Sequence, residues 1–385
     1  MRRWIGPCGL NIERHHQLVK LEMKDEIMSN LMEASRQWAT RPKDQRFETL
    51  DALCASVTDR RNRSRSVDVD IGSVEAESKD GTIVLNHGIK SVEPSHWAFG
   101  QLAGWVKAPG EYLRRLPAPL AVANINHGIQ TVAQERGALK FMAITNPDSE
   151  INTLQAVTST TYGRIWDADV AACGQRIVER TNGKFYNPKA YVGGEVKPSG
   201  LYASDRDVFI FMIDGGSRLD AGPRAQLNRG FFMWNSETGS RTFGLTTFLF
   251  NEVCGNHICW GAQDVNTLKI KHCSGAPSRF DAEAAPLLAE YCESTAQPEL
   301  DAIKKAQNFI LPEGKDKFVE YLQSVGKFSK NEANEAWSFA KAEEGDCRTL
   351  WHAVQGLTAY ARGFDFIDSR VDLETRAGKL LNLVN

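Results

Sequence analysis

The stretch RGFFMWNSETGSRTFGLTTFLFNEVCGNHICWGA, residues 229–262, decides how the chain is read. Two runs within it, RGFFMWN (229–235) and RTFGLTTFLF (241–250), are dense in aromatic and β-branched residues, and the polar NSETGS (235–240) separates them. That composition predicts two core strands joined by a polar turn. With the rings facing inward, Arg229, Arg241 and Trp234 remain as the functional candidates of the segment. Cys254, His257 and Cys259, with His272-Cys273 beyond them, supply enough soft ligands for a tetrahedral zinc site. The spacing is not a zinc pattern, however, and in a strand Cys254 and His257 point to opposite faces. A packed core with a tight turn at Gly255-Asn256 is the simpler reading, and no metal or other cofactor is expected.

Working outward, ALKFMAIT (138–145), RDVFIFMID (206–214) and TLKIKH (267–272) read as further strands. Val208 to Ile213 is apolar on both faces, which predicts a central strand covered on both sides. VDVDIG (67–72) alternates, as a half-exposed strand does. Residues 21–57 read helical, with Leu50, Leu53 and Val57 on one face. A second helical block runs from Ser95 to Ile129, broken at Ala108-Pro109-Gly110 and at LPAPL (116–120). A helix is predicted over Asp167–Arg180, with Val170, Cys173 and Ile177 on one face. From Asp281 to the end the pattern is helical. Ser329 with Glu332 forms a capping box there, and Leu350, Trp351, Val354, Leu357 and Ala361 make an apolar stripe. The fold class is α+β: a strand-rich central sheet, antiparallel or mixed, flanked by N-terminal and C-terminal helical segments. Residues 1–30 read as a dispensable N-terminal extension, with Met23, Met28 and Met32 soon after the start, 31–280 as the α+β core and 281–385 as a helical region.

The balance of 42% hydrophobic and 24% charged residues over 385 positions suits a globular chain, and the net charge of −2 supplies no global basic field. Nucleic-acid binding would therefore need a local patch. Eight cysteines are scattered without a secretory leader, which predicts reduced thiols and a cytoplasmic location. No run approaches the roughly 20 apolar residues of a membrane span. No phosphate loop, HExxH, GxSxG elbow or strand-placed GxGxxG is present.

Local basic features are more numerous. Arg60, Arg61, Arg63 and Arg65 form one run, and Arg114-Arg115 beside Tyr112 form a second. Arg229, Arg241, Lys269 and Lys271 flank the aromatic strands, and Trp234 offers a ring. Cations tracking phosphates with aromatic faces for stacking are what single-strand binding requires. The competing reading makes the arginine run a solvated loop and the strand aromatics core. Residues 99–116 read either as a helix-turn-helix with Arg114 and Arg115 toward DNA or as a plain helical hairpin. Asp205, Asp207 and Asp214 bracket the VFIFMI strand, with Asp205 and Asp207 on one face. Some Mg²⁺ nucleases place acids this way, but strand-end aspartates more often cap turns. Asp167-x-Asp169 suits the start of a helix.

Several stretches together resemble a known family. QWATRPKDQRFETLDAL (37–53), QLAGWVKAPGEYLRRLP (101–117), AVTSTTYGRIWDADV (156–170), GLYASDRDVFIFMID (200–214), the 229–262 segment and TAYARGFDFIDSRVDLETRAGKLL (358–381) resemble the phage/plasmid-like proteins with domain of unknown function 932. The resemblance implies a bacteriophage, prophage or plasmid gene acting in a bacterial cytoplasm. It also suggests an architecture compatible with single-strand annealing proteins, which form rings and pair strands without ATP. The expectation is a non-enzymatic homo-oligomer that binds single-stranded DNA in recombination or replication. The alternatives are a metal-dependent nuclease and an interaction protein aimed at a host factor, for which the acidic AEEGD (342–346) is available.

Overall fold

The computed structural model describes residues 42–384, apart from 88–89, 136, 188–189, 193–194, 198–199, 217–218, 223–225, 252–256, 259–266 and 365–366. Helix α1 (Leu50–Arg63) starts where the Thr49 hydroxyl accepts from the Ala52 amide at 3.2 Å, and it buries Leu53, Cys54 and Val57. It continues past Val57, so Arg60, Arg61 and Arg63 belong to its last turn and not to a loop. The chain then enters β1 (Ser64–Asp70) directly. Next come β2 (Val74–Lys79), β3 (Thr82–His87), β4 (Lys90–Pro94), α2 (His96–Trp105), α3 (Gly110–Leu113), α4 (Ala118–Glu135), β5 (Ala138–Ile144) and β6 (Asn152–Thr158).

These six strands form one sheet in the order β1-β5-β6-β4-β3-β2, antiparallel except for the parallel pair β4–β6. Asp80 and Gly81 join β2 to β3 with positive φ at both positions, 52° and 81°, as the tight turn that matches strand twist requires. That Asp-Gly signal stands in the sequence, yet β2, β3, β4 and β6 lie outside the predicted strands. Their short, polar-interrupted runs carry little hydrophobic periodicity. One face of the sheet packs on α2 and α4 through Leu102, Ile125, Ile129, Leu139, Phe141 and Leu154. At the β2 edge, Asn126 of α4 seals the backbone: its carboxamide accepts from Ala76 N at 2.8 Å and donates to Ala76 O at 2.9 Å.

Helix α5 occupies Asp167–Arg180, the predicted span, and leads into a second, antiparallel sheet. Its strands are β7 (Phe185–Tyr186), β10 (Leu201–Ala203), β11 (Val208–Asp214), β12 (Leu219–Asp220), β13 (Gln226–Asn235), β14 (Phe243–Asn251), β15 (His257–Ile258) and β16 (Thr267–Ile270), while β8 (Ala190–Val192) and β9 (Glu195–Lys197) pair only with each other. The central strand β11 is buried at every position, because successive side chains feed different cores. Ile210, Met212, Phe231 and Met233 pack toward α1 and α5, whereas Phe209, Phe211, Phe232, Trp234 and Phe248 form a separate aromatic layer. The aromatic strands of the 229–250 segment are therefore core.

The C-terminal helices are α6 (Ala276–Arg279), α7 (Ala285–Glu293), α8 (Gln297–Asn308), α9 (Lys315–Gly326), α10 (Lys330–Glu343), α11 (Leu350–Ala361) and α12 (Ile367–Lys379). The Ser329–Glu332 capping box opens α10 as the sequence predicts. Leu350, Val354 and Leu357 of α11 share a core with Leu227 and Leu249 of the second sheet. The architecture is α+β, with two large sheets and the β8–β9 pair rather than one sheet, and helices on either side in sequence. Among the described residues, no helix is long and apolar enough to cross a membrane.

Candidate functional site

The two sheets meet at the tip of the β13–β14 hairpin. The turn NSETGS, polar in sequence, is interior: Asn235, Ser236, Glu237 and Thr238 are all at most 1% exposed. Buried polar groups need partners, and the neighbouring elements supply them. Trp97 and Gln101 of α2 donate to Thr238 O at 3.1 and 2.8 Å. The Tyr162 hydroxyl donates to Ser236 O at 3.0 Å, and the Ser236 hydroxyl donates to Arg206 O at 2.5 Å.

An ionic network surrounds Glu237. Arg60 donates through Nε to Glu237 Oε1 at 2.9 Å and through Nη2 to Asp167 Oδ2 at 2.6 Å. Glu237 Oε2 accepts from the Asp167 amide at 3.1 Å, so a carboxylate from another element closes the first turn of α5, where Trp166 offers no side-chain cap. Asn235 donates to Asp167 Oδ1 at 2.7 Å and to Ile165 O at 2.8 Å. Arg164 donates to Glu237 O, and its guanidinium lies 5.3 Å from the Tyr162 ring centroid and 5.5 Å from that of Trp166. Arg241 reaches Asp207 at 3.3 Å at the edge of the same cluster.

Electrostatics follow from this packing. Burial, then the neighbouring Glu237, hold the Asp167 carboxyl well above its ordinary range against the opposing effect of Arg60. Burial lowers Arg164 and raises the Tyr162 phenol. Burial also pushes the His272 imidazole down to about 4, although Nδ1 lies 3.1 Å from Gly163 O. A neutral His272 stacks on Tyr162 with centroids 5.0 Å apart and planes 20° from parallel.

The predicted nucleic-acid residues divide sharply. Arg229 is 1% exposed, against the expectation of a surface cation. It lies 4.1 Å from the Tyr291 ring centroid and donates to Tyr291 O and, at 2.6 Å, to Ser294 O, capping the C-terminal end of α7. Trp234 is fully buried in the aromatic layer, so its ring has no free face for a base. Arg60 is committed to Asp167 and Glu237. Arg61 pairs with Asp169, and Arg114 with Glu111 and His96 O. The helix-turn-helix reading fails, because α3 spans four residues, too short for a recognition helix, and Arg114 folds back over Phe99. Arg63, Arg65, Arg115, Lys269 and Lys271 are exposed. Arg63 pairs with Asp59 at 2.7 Å, and Arg65 turns onto Asn62 O and Ser64 O.

The three aspartates of the nuclease alternative do not converge. Asp207 is buried against Ser204 and Arg241, Asp205 is exposed, and Asp214 pairs with Lys184 at the far end of β11, roughly 20 Å away at about 3.3 Å per residue. Asp205 and Asp207 do not share a strand face, since β11 begins only at Val208. Among the described residues, no three His, Cys, Asp or Glu side chains are placed to hold a metal ion. Cys254 and Cys259 lie outside the described residues, and of His257 only the strand backbone is described.

The residues that the sequence reading passed over are Tyr162, Arg164 and Glu237. No spacing or composition signal singled them out; they fall in 156–170 and 229–262, stretches that meet in space here. No protein-family model matches the chain, and comparison with curated proteins and with solved structures finds no similar one.

Proposed function

We propose that the chain is a nucleic-acid-binding protein of a phage or plasmid, and that it binds at the seam between its two sheets. The observation that carries this reading is the setting of the Tyr162–His272 stack. Lys140 of the first sheet donates to Tyr162 O at 3.5 Å, and the exposed Lys271, just past the end of β16, immediately precedes His272. Lys140 thus lies against the backbone of one of two stacked, half-buried rings and Lys271 is next in sequence to the other, with Lys269 of β16 exposed two residues back. Lysines near aromatic rings are the residue types that single-strand binding combines. The neutral state of His272 suits stacking rather than charge pairing.

The test is fluorescence anisotropy with labelled single- and double-stranded oligonucleotides at two salt concentrations. Single-stranded DNA is expected to bind more tightly. The double variant Lys140→Gln/Lys271→Gln is expected to weaken binding and to flatten the log–log salt slope by about 0.7 per lost phosphate contact. Absence of binding to either form at low salt refutes the reading. Unchanged binding by the double variant removes the seam as the site.

A further inference from the structure

The first sheet ends in two edge strands that are treated differently. β2 is sealed by Asn126, while Arg65 through Asp68 of β1 are exposed. The bonds flanking the β1–β5 pair set which backbone groups face outward. Thr145 N donates to Arg63 O at 3.0 Å and Ile71 N to Gly137 O at 3.2 Å. With the register Ser64↔Ile144 through Asp70↔Ala138, these bonds place the odd-numbered residues of β1 in hydrogen-bonded pairs with β5. The N–H and C=O groups of Ser64, Ser66, Asp68 and Asp70 therefore point away from the sheet. The chain itself covers the outer members: Ser64 N donates to Arg61 O, Ser64 O accepts from Arg65 at 2.8 Å, and Asp70 O accepts from the Ser73 hydroxyl at 2.7 Å. Among the described residues, Ser66 and Asp68 are left with both backbone groups outward.

We infer that this edge pairs antiparallel with β1 of a second copy, about a two-fold axis at Val67. In that register Ser66 faces Asp68 of the other copy and Asp68 faces Ser66, so the outward groups of both residues are satisfied in two reciprocal pairs. The covered carbonyls of Ser64 and Asp70 fall at the ends and terminate the ladder. Side chains agree with the backbone. Val67, 46% exposed, meets its own symmetry mate, hydroxyls face carboxylates, and Arg65 faces Val69. No like charges stand directly opposite, and each Asp68 keeps Lys140 at 4.0 Å. The result is a self-complementary interface that continues one sheet through two molecules.

The test uses the full chain and is independent of nucleic-acid binding. Sedimentation velocity over a range of concentrations is expected to show a shift from one-chain to two-chain mass. Val67→Asp places two carboxylates at the axis and is expected to leave only the one-chain mass, with an unchanged circular dichroism spectrum. Val67 and its mate form a non-hydrogen-bonded pair, with Cα atoms about 4.5 Å apart and within disulfide reach. Mild oxidation of Val67→Cys is therefore expected to link two chains, while the wild-type chain treated alike stays unlinked. A one-chain mass at every concentration overturns the pairing. So does a two-chain mass that Val67→Asp leaves unchanged, or a Val67→Cys chain that does not link.

Discussion

Arg60 and Asp167 stand 107 residues apart in the chain, and their side chains meet at 2.6 Å where little solvent reaches. The same guanidinium holds Glu237 at 2.9 Å, so one arginine at the end of α1 fixes the start of α5 and the tip of the β13–β14 hairpin together. Arg60→Met is expected to cost about 3–5 kcal/mol, because it removes the guanidinium that ion-pairs with two buried carboxylates. Urea denaturation followed by circular dichroism measures this. A cost near that of an exposed ion pair, below about 1 kcal/mol, would contradict the assigned role.

Stability should depend on pH through two groups of opposite sign. His272 is held at about 4 against an ordinary 6.5, so between those values the unfolded chain binds the extra proton. Stability attributable to His272 therefore rises as pH climbs through that window and is lost as pH falls toward 4. Asp167 is shifted upward, so the folded chain holds its proton longer, and its contribution falls as pH rises above the unfolded carboxyl value. His272→Phe should remove the first slope and Asp167→Asn the second. Melting temperatures of both variants across the acid range distinguish the two.

Gly244 lies opposite Trp234, and a Cβ on Gly244 would enter the indole ring. Gly244→Ala is expected to destabilise by about 1–3 kcal/mol, the usual cost of overpacking a filled core. Tryptophan fluorescence through a denaturant titration should report a lower midpoint with a displaced native spectrum. An unchanged midpoint would mean that the ring can move aside.

Arg229 acts within the core. Arg229→Met keeps much of the side-chain volume but removes the guanidinium that donates to the Tyr291 and Ser294 carbonyls, at an expected cost of about 1–3 kcal/mol. If Arg229 served nucleic acid instead, the substitution would weaken DNA binding at full stability. Measuring both on one preparation separates the two roles.

Asn126→Ala should unseal the β2 edge. Its loss is expected to cost about 1 kcal/mol and to introduce concentration-dependent aggregation, because Ala76 N and O are freed for strand pairing. Light scattering against concentration checks it.

What was legible in the sequence was local. Asp167–Arg180 shows its apolar face at helical spacing, Ser329 and Glu332 announce a helix start, and Val208–Ile213 is apolar on both sides; the structure returns each of these. The sequence also marked NSETGS as a polar turn between two aromatic strands, which β13 and β14 bear out. It left open which arginine is a surface cation and which is a buried counter-ion. Arg60 and Arg63 sit three residues apart on one helix, yet one faces two carboxylates from distant elements and the other a neighbouring aspartate at the surface. Side-chain periodicity records how a segment divides its own surface between core and solvent, so it determines elements. The partner of a charge is chosen by the packing of segments far apart in sequence, and that only the tertiary structure decided.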